Sequence, residues 1–114
     1  QSELRLVYLI GSFLEYNYAK DIKMKDLADY FNISQRHLDR IIKKYFDMSY
    51  KKILTATRIR VAMHLLKNTN EPIGAIAESI GYNSLHTFQR AFYQTAGVTP
   101  SAYRKQYKNG HERQ

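Results

Sequence analysis

The sequence predicts an all-α fold of about seven helices, in which two helix-turn-helix subdomains are joined by a long linking helix. Apolar residues recur at helical spacing along most of the chain, and no alternating pattern typical of strands competes with it. One helix-turn-helix pattern also occurs twice, from Asp26 to Ile42 and again from Ala75 to Phe92. An ordinary helical hairpin could show this pattern once by chance. Two ordinary hairpins are not expected to show it twice in the same register.

The two copies agree at the positions that matter for the motif. Two short helices that cross steeply need a small residue at their closest approach, and the turn between them needs a residue that adopts a positive φ cheaply. The second helix then begins after a side chain that accepts from a free backbone N–H. These three pairs of residues are Ala28 and Ala77, Asn32 and Gly81, and Ser34 and Ser84. One extra residue, Asn83, fits the second turn.

The helices are expected in the following order. An opening helix covers Glu3 to Tyr18 and turns Leu6, Leu9, Ile10, Phe13 and Tyr16 or Asn17 inward. The later helices are Lys25 to Phe31, Ser34 to Phe46, Tyr50 to Asn68, a short helix ending at Ile80, Ser84 to Ala96, and Pro100 to Tyr107. Residues 109–114 are expected to be frayed. The predicted subdomains are therefore 1–49 and 69–114, with 50–68 as the linking helix.

Three details of this prediction can be checked directly in a structure. Asp47 is expected to end the third helix in the left-handed conformation, which Asp tolerates better than most residues. The linking helix should bury one face, formed by Ile53 or Leu54, Thr57 or Arg58, Val61, Ala62 and Leu65. The sixth helix should bury Phe88, Ala91, Phe92 and Thr95.

The positive charge is concentrated in one part of the chain. The net charge is +8, but residues 34–67 hold nine lysines and arginines against two aspartates, a net of +7, whereas residues 71–97 have a net of −1. A strongly basic helix beside a helix-turn-helix motif predicts a polyanionic partner, and double-stranded DNA is the partner that fits the motif.

The second helix of each motif supplies the candidate DNA contacts, because that helix enters the major groove. In the first unit the candidates are Ser34, Gln35, Arg36, Asp39, Arg40, Lys43 and Lys44, and in the second unit they are Ser84, Leu85, His86, Thr87, Gln89 and Arg90. Two roles stay open at this stage. Asp39 either accepts from a cytosine amine or orients Arg36 or Lys43, and His86 either contacts DNA or is a surface residue without a role.

Other classes of function receive no support from the residues. The chain has no cysteine, which excludes thiolate metal sites, and its four histidines lack metal-ligand spacing. No phosphate-binding loop, clustered acids or other catalytic motif is present, so no catalytic residue, metal or cofactor is expected. The longest apolar run, Leu6 to Ile10, is too short for a membrane span. We therefore expect a cytoplasmic protein.

The residues that carry the motif are similar to the DNA-binding domain of the AraC/XylS family of bacterial transcription regulators. The similarity runs from Leu6 to Tyr107. Its most specific positions are Arg58-Ile59, Ala62, Leu65-Leu66, Ile76-Ala77, Gly81-Tyr82, Phe88, Arg90, Phe92, Gly97, Thr99-Pro100 and Tyr103-Arg104. Two positions depart from the family pattern: Asp47 stands where glycine is usual, and Tyr93 stands where a basic residue is common.

The resemblance implies a seven-helix fold whose two reading helices enter successive major grooves. It places base-reading positions at Arg36, Asp39 and Arg40 in the first unit, and at Leu85, His86, Thr87 and Arg90 in the second. It also implies a role in transcription regulation, as an activator or as a repressor, with RNA polymerase as a further partner. Any effector or receiver domain would lie outside this chain.

Two other functions compete with this interpretation. The chain could be a basic helical adaptor that binds RNA polymerase or another protein, with incidental contact to DNA. It could also be part of an enzyme that acts on nucleic acid, because similar modules occur fused to repair enzymes. The duplicated reading helix disfavours the first, and the absence of a catalytic constellation disfavours the second.

Overall fold

The computed structural model describes residues 2–112, with side chains described as far as residue 108. Seven α-helices and no strand occur in this part of the chain. The helices are α1 (Glu3–Asn17), α2 (Met24–Phe31), α3 (Gln35–Phe46), α4 (Tyr50–Asn68), α5 (Ile73–Ser79), α6 (Leu85–Ala96) and α7 (Pro100–Glu112). The all-α fold and the order of the helices are therefore confirmed. None of the described helices is long and apolar enough to cross a membrane.

The predicted end of α7 was wrong. The helix continues through residues 109–112, which were expected to be frayed, while residues 113 and 114 lie outside the described part. Near this end, α7 contacts the residues that follow α4. Lys108, one residue beyond the predicted end at Tyr107, donates to the Thr69 carbonyl at 2.9 Å and also to Asn70 Oδ1.

The chain forms two compact units, one up to Thr57 and one from Arg58 onward. The core of the first unit contains residues of α1, α2, α3 and the start of α4: Leu6, Ile10, Leu14, Leu27, Ala28, Leu38, Ile41, Ile42, Tyr50 and Ile53. Of the two alternatives at the end of the inward face of α1, Asn17 is half-buried and Tyr16 is 85% exposed; Leu14, which was not expected on this face, is buried. The i, i+4 spacing of Leu6, Ile10 and Leu14 keeps the buried stripe on one side, and Tyr16 falls away from it.

A series of aromatic contacts runs through the second unit, beside buried aliphatic residues of α4 and α5. Tyr82, Phe88, Phe92, Tyr103 and Tyr107 follow one another with ring centroids 4.5–5.8 Å apart, a range that favours tilted and edge-to-face contacts. Phe88 and Phe92 are fully buried. The expectation that Thr95 is buried was wrong, because the buried stripe of α6 ends at Phe92 and Thr95 reaches solvent.

The linking helix α4 has the predicted bounds, but its buried positions do not form the single stripe that was expected. Tyr50 and Ile53 are buried in the first unit, whereas the buried residues of its second part are Ile59, Ala62 and Leu66. Val61 and Leu65 are only half-buried. Each part of the helix contributes to the core of its own unit, and a pattern based on one continuous face therefore selects the wrong neighbours.

Candidate nucleic-acid interface

The two helix-turn-helix units share one hydrogen-bonded turn. After α2, the N–H of Asn32 donates to the Asp29 carbonyl at 3.1 Å, and the N–H of Ile33 donates to the Ala28 carbonyl at 3.0 Å. The same two bonds, at 3.1 and 3.0 Å, recur between Gly81 and Glu78 and between Tyr82 and Ala77. This pair of bonds satisfies helix carbonyls that lack a partner within their helix. The repeat seen in the sequence is therefore a repeat of backbone structure.

The residue types of the motif have the expected local roles. Asn32 has a φ of 56° and Gly81 a φ of 106°, and the small residues beside the turns, Ala28 and Ala77, are buried. Because the turn bonds match at a constant offset, the extra residue of the second unit lies between Tyr82 and Ser84. It is Asn83, as predicted.

Both reading helices begin at the predicted serine caps. The Ser34 hydroxyl accepts from the His37 N–H at 3.0 Å, and the Ser84 hydroxyl accepts from the Thr87 N–H at 3.1 Å. The Ser84 hydroxyl also donates to the Thr87 hydroxyl at 2.8 Å. These bonds fix where α3 and α6 start, and hence which residues form their outer faces.

The candidate residues of the first unit lie on the solvent side of α3. Leu38, Ile41 and Ile42 are fully buried on the opposite side. Asp39 is half-buried, and the exposed candidates are Ser34, Gln35, Arg36, Arg40, Lys43 and Lys44.

All six candidates of the second unit are exposed: Ser84, Leu85, His86, Thr87, Gln89 and Arg90. Tyr93, which lies one turn beyond Gln89 and Arg90, is 57% exposed and extends this surface. Because α6 carries one arginine and no lysine, its surface is mostly uncharged. Leu85, 43% exposed, adds an apolar group to it.

Several basic side chains of α3 already have acidic partners. Lys43 Nζ lies 3.1 Å from Asp39 Oδ2, one turn away on the same helix. Arg40 Nη2 lies 2.7 Å from Glu3 Oε2, and Lys44 Nζ lies 3.2 Å from Glu3 Oε1. Arg36, by contrast, has no hydrogen bond or ion pair within the described part of the chain. The same is true of Arg90 on α6.

Glu3 is the centre of this charge arrangement. Besides its two ion pairs, it accepts from the Tyr45 hydroxyl at 2.8 Å, and Arg40 Nη2 also contacts His37 Nδ1 at 3.1 Å. Hydrogen bonds from Arg40, Tyr45 and Lys44 lower the pKa of Glu3 to about 2. The same carboxylate raises the pKa of Lys44, with a smaller contribution from Tyr45. We call Glu3, His37, Arg40, Lys44 and Tyr45 the Glu3 cluster.

The sequence pattern did not identify Glu3 as part of this surface. Its partners Arg40 and Lys44 follow it by 37 and 41 residues, and helical periodicity reports only on neighbours within two or three turns. No cluster of His, Cys, Asp or Glu suited to a metal ion occurs among residues 2–108, the part of the chain whose side chains are described. The groups that the Glu3 cluster brings together interact through hydrogen bonds and charge.

Comparison with known proteins agrees with this geometry. Residues 27–106 match the family model described as a helix-turn-helix domain. The chain is 39% identical over 93 residues to an uncharacterized HTH-type transcriptional regulator, YfiF, from Bacillus subtilis, covering 82% of this chain and 29% of that protein. It is 35% identical over 97 residues to the raffinose operon transcriptional regulatory protein RafR from Pediococcus pentosaceus, covering 85% of this chain and 35% of that protein. The chain thus spans about a third of the length of these curated relatives.

A solved structure resembles most of this chain in fold. The C-terminal domain of AraT, a response regulator from Geobacillus stearothermophilus, has a TM-score of 0.84 and 33% identity, covering 88% of this chain and 84% of that one. The chain belongs to the AraC/XylS family of transcription regulators and represents the DNA-binding domain of that family.

Proposed function

We propose that this chain binds a specific sequence of double-stranded DNA through two helix-turn-helix units and thereby regulates bacterial transcription. The observation that carries the proposal is the repeated unit, in which the same turn and the same serine cap present an exposed helix in each half of the chain. One such helix reads only a few base pairs, and two of them specify a longer site.

The proposal assigns the two reading helices to adjacent major grooves. The reading subdomains would be 1–49 and 69–114, with 50–68 as the linking helix. At 1.5 Å per residue this helix is roughly 27 Å long, which is close to the roughly 34 Å between successive major-groove faces. The DNA-contacting set would be the thirteen candidates on α3 and α6.

The two units are expected to contribute differently to affinity and specificity. The first unit and α4 supply most of the positive charge and would provide most of the phosphate binding. The second unit would add discrimination between base sequences through few contacts. These contacts would come from Arg90, the arginine of α6, and from Leu85 and His86 beside it. Leu85 can contact a thymine methyl, and Arg90 can pair with guanine O6 and N7.

The wider role follows from the relatives. RafR is named as an operon regulatory protein and AraT as a response regulator. We propose by analogy that this chain is the reading domain of a regulator that acts on RNA polymerase, and that an effector or receiver domain, where one exists, lies outside it. Because bacterial DNA lies in the cytoplasm, the protein would act there. A catalytic role is not part of this proposal.

Selection of bound sites from a random duplex library tests the proposal. The selected duplex should bind at least about a thousandfold more tightly than random duplex. Hydroxyl-radical footprinting should show two protected segments about 10 base pairs apart on one face. A basic adaptor would bind both duplexes equally, and a single protected segment would contradict the bipartite mode.

A pair of matched variants tests which reading helix contacts which protected segment of the DNA. Arg90→Ala should relax base preference in one segment and leave the other unchanged. Lys105→Ala, which removes one positive charge from the exposed surface of α7, serves as the control and should leave preference unchanged in both segments. Relaxed preference in both segments with either variant would contradict the assignment of one helix to each segment.

A further inference from the structure

The Glu3 cluster joins the first residue of α1 to the DNA-facing side of α3. Both carboxylate oxygens of Glu3 are occupied: Oε2 by Arg40 at 2.7 Å, and Oε1 by Lys44 at 3.2 Å and Tyr45 at 2.8 Å. Arg40 and Lys44 are two of the four basic residues on the outer face of α3. A carboxylate thus lies among the charges that are expected to meet DNA.

The geometry of Arg40 limits what it can do while this cluster is intact. A guanidinium offers two forks of parallel N–H groups, one formed by Nε and Nη2 and the other by Nη1 and Nη2. Both forks use Nη2. In Arg40, Nη2 contacts both Glu3 Oε2 at 2.7 Å and His37 Nδ1 at 3.1 Å. Its two protons are therefore engaged, and Arg40 cannot pair in a bidentate manner with guanine until it leaves one of these partners.

The other arginine of α3 is in the opposite situation. Arg36 is exposed and has no partner among the residues that the structure describes, so both of its forks are available to a base. Lys43 is held by Asp39 at 3.1 Å. Among the lysines and arginines of α3, Arg36 is the one whose charged group is available to DNA without first leaving a partner in the described part of the chain.

We propose, building on the function proposed above, that Glu3 restrains the affinity of α3 for DNA by holding Arg40 and Lys44, and that Arg36 is the base-reading arginine of this helix. A DNA phosphate must displace the Glu3 carboxylate before it can pair fully with either of these cations. The Glu3 carboxyl is ionised at neutral pH, as an ordinary glutamate is, and its hydrogen bonds lower its pKa further, to about 2.

The expected change in DNA affinity follows from the exposure of the cluster and from its charge. The side chains of Arg40 and Lys44 remain 51% and 54% exposed, so their pairs with Glu3 are screened by solvent and phosphate can compete with them. Removal of the carboxylate adds one net positive charge to this surface. If that charge meets phosphate, the slope of log affinity against log salt steepens by about 0.9. Over the decade between 1 M and 0.1 M salt, this corresponds to about eightfold tighter binding.

The test measures the affinity of the chain and of Glu3→Gln for random and selected duplexes at several salt concentrations. Glu3→Gln should bind both duplexes about eightfold more tightly at 0.1 M salt, with the slope steeper by about 0.9. Asp21→Asn is the matched control, because it removes a carboxylate whose partner is Lys23 at 3.2 Å rather than a cation of α3. This variant should bind random duplex as the unmodified chain does.

A second set of variants establishes that the effect passes through the cluster. In a background of Arg40→Ala and Lys44→Ala, Glu3→Gln should no longer steepen the salt dependence. Arg36→Ala should flatten base preference at one position of the selected site, whereas Arg40→Ala should leave preference unchanged. Circular dichroism of each variant checks that the helices are retained.

Several results would overturn this inference. An unchanged salt slope in Glu3→Gln would show that the carboxylate does not withhold these cations. Weaker binding of the selected site with flattened base preference would show that Glu3 instead positions Arg40 for reading. Loss of preference in Arg40→Ala, with none in Arg36→Ala, would reverse the assignment of the two arginines. In each of these cases the unmodified chain still prefers its selected site, whereas failure of the proposed function would remove that preference.

Discussion

Arg104 connects α7 to the end of α4, and its replacement gives a direct measure of how that connection stabilises the second unit. Its Nε donates to the Leu66 carbonyl at 3.1 Å, and its Nη2 donates to the Thr69 carbonyl at 3.2 Å. The last four carbonyls of a helix lack a partner within the helix, and Leu66 lies two residues before the end of α4. Arg104 therefore caps α4 from a distant part of the chain.

The expected cost of losing this cap follows from its hydrogen bonds. A bond with a charged donor contributes about 1.5–3 kcal/mol. Lys108 also donates to the Thr69 carbonyl, at 2.9 Å, so the loss falls mainly on the Leu66 carbonyl. Arg104→Met keeps the aliphatic stem and removes the donors. We expect it to lower the free energy of unfolding by about 1.5–3 kcal/mol.

Urea unfolding followed by far-ultraviolet circular dichroism measures this change. Lys105→Met is the matched control, because Lys105 is an exposed neighbour on the same helix. Its effect should stay within about 0.5 kcal/mol. Arg104→Lys keeps the charge without the fork and should fall between the two. Equal stability of Arg104→Met and Lys105→Met would refute the capping role.

Three further predictions concern the caps, the salt dependence and the pH dependence. Ser34→Ala and Ser84→Ala should each cost about 1 kcal/mol in urea unfolding, because each removes the acceptor of a first-turn N–H; no loss would contradict the caps. Alanine at Lys43, Lys44, Lys51 and Lys52 should weaken binding to all duplexes. The slope of log affinity against log salt should fall by about 0.9 for each of these lysines that contacts phosphate. Changes at Leu85, His86 and Arg90 should instead alter base preference, with little change in this slope. The pKa of Glu3 falls from 4.5 to about 2 on folding. The stability difference between the unmodified chain and Glu3→Gln should therefore be constant above about pH 5 and decline as the pH falls towards 2. A difference that does not change with pH would show that the pairs of Glu3 contribute nothing to stability.

The fold could be predicted from the sequence because its signals are local. Helical spacing, the turn residues Asn32 and Gly81, and the caps Ser34 and Ser84 each act within a few residues of chain. The left-handed turn at Asp47 was likewise predicted and has a φ of 56°. The duplication strengthened every one of these signals, because each was present twice in the same register.

The parts that were not predicted depend on contacts between distant residues. The bonds made by Glu3 and by Arg104 join residues 35 to 42 positions apart, and no periodicity reports such pairs. The contact between Lys108 and Thr69, near the end of α7, is another that joins distant residues. On α1, helical spacing left Tyr16 and Asn17 as alternatives for the last inward position, and the structure half-buries Asn17 and exposes Tyr16.

Asp47 and Gly97 provide an internal comparison of one turn in two units. Asp47 ends α3 at φ 56°, and Gly97 ends α6 at φ 80°. Their N–H groups donate to the carbonyls of Lys43 and Tyr93, four residues earlier, at 3.2 and 2.8 Å. The left-handed region costs a residue with a Cβ about 1–2 kcal/mol, somewhat less for Asp. A carboxylate at a helix C-terminus adds about 0.3–1 kcal/mol of unfavourable interaction.

Exchanging these residues should therefore change stability in opposite directions. Asp47→Gly should stabilise the first unit by about 0.5–1 kcal/mol, because the gain is reduced by the greater freedom of glycine in the unfolded chain. Gly97→Asp should destabilise the second by a similar amount, about 0.5–1 kcal/mol, because the same terms apply with the opposite sign. A Cβ at Gly97 would meet no atom within 4 Å, so this loss reflects backbone conformation and charge rather than a clash. Gly97→Ala separates the cost of the backbone conformation from the cost of the charge, because alanine adds a Cβ without a carboxylate. Urea unfolding measures the stability of all three variants. A loss of stability in Asp47→Gly would mean that the Asp47 carboxylate makes a contact worth more than the strain of its backbone.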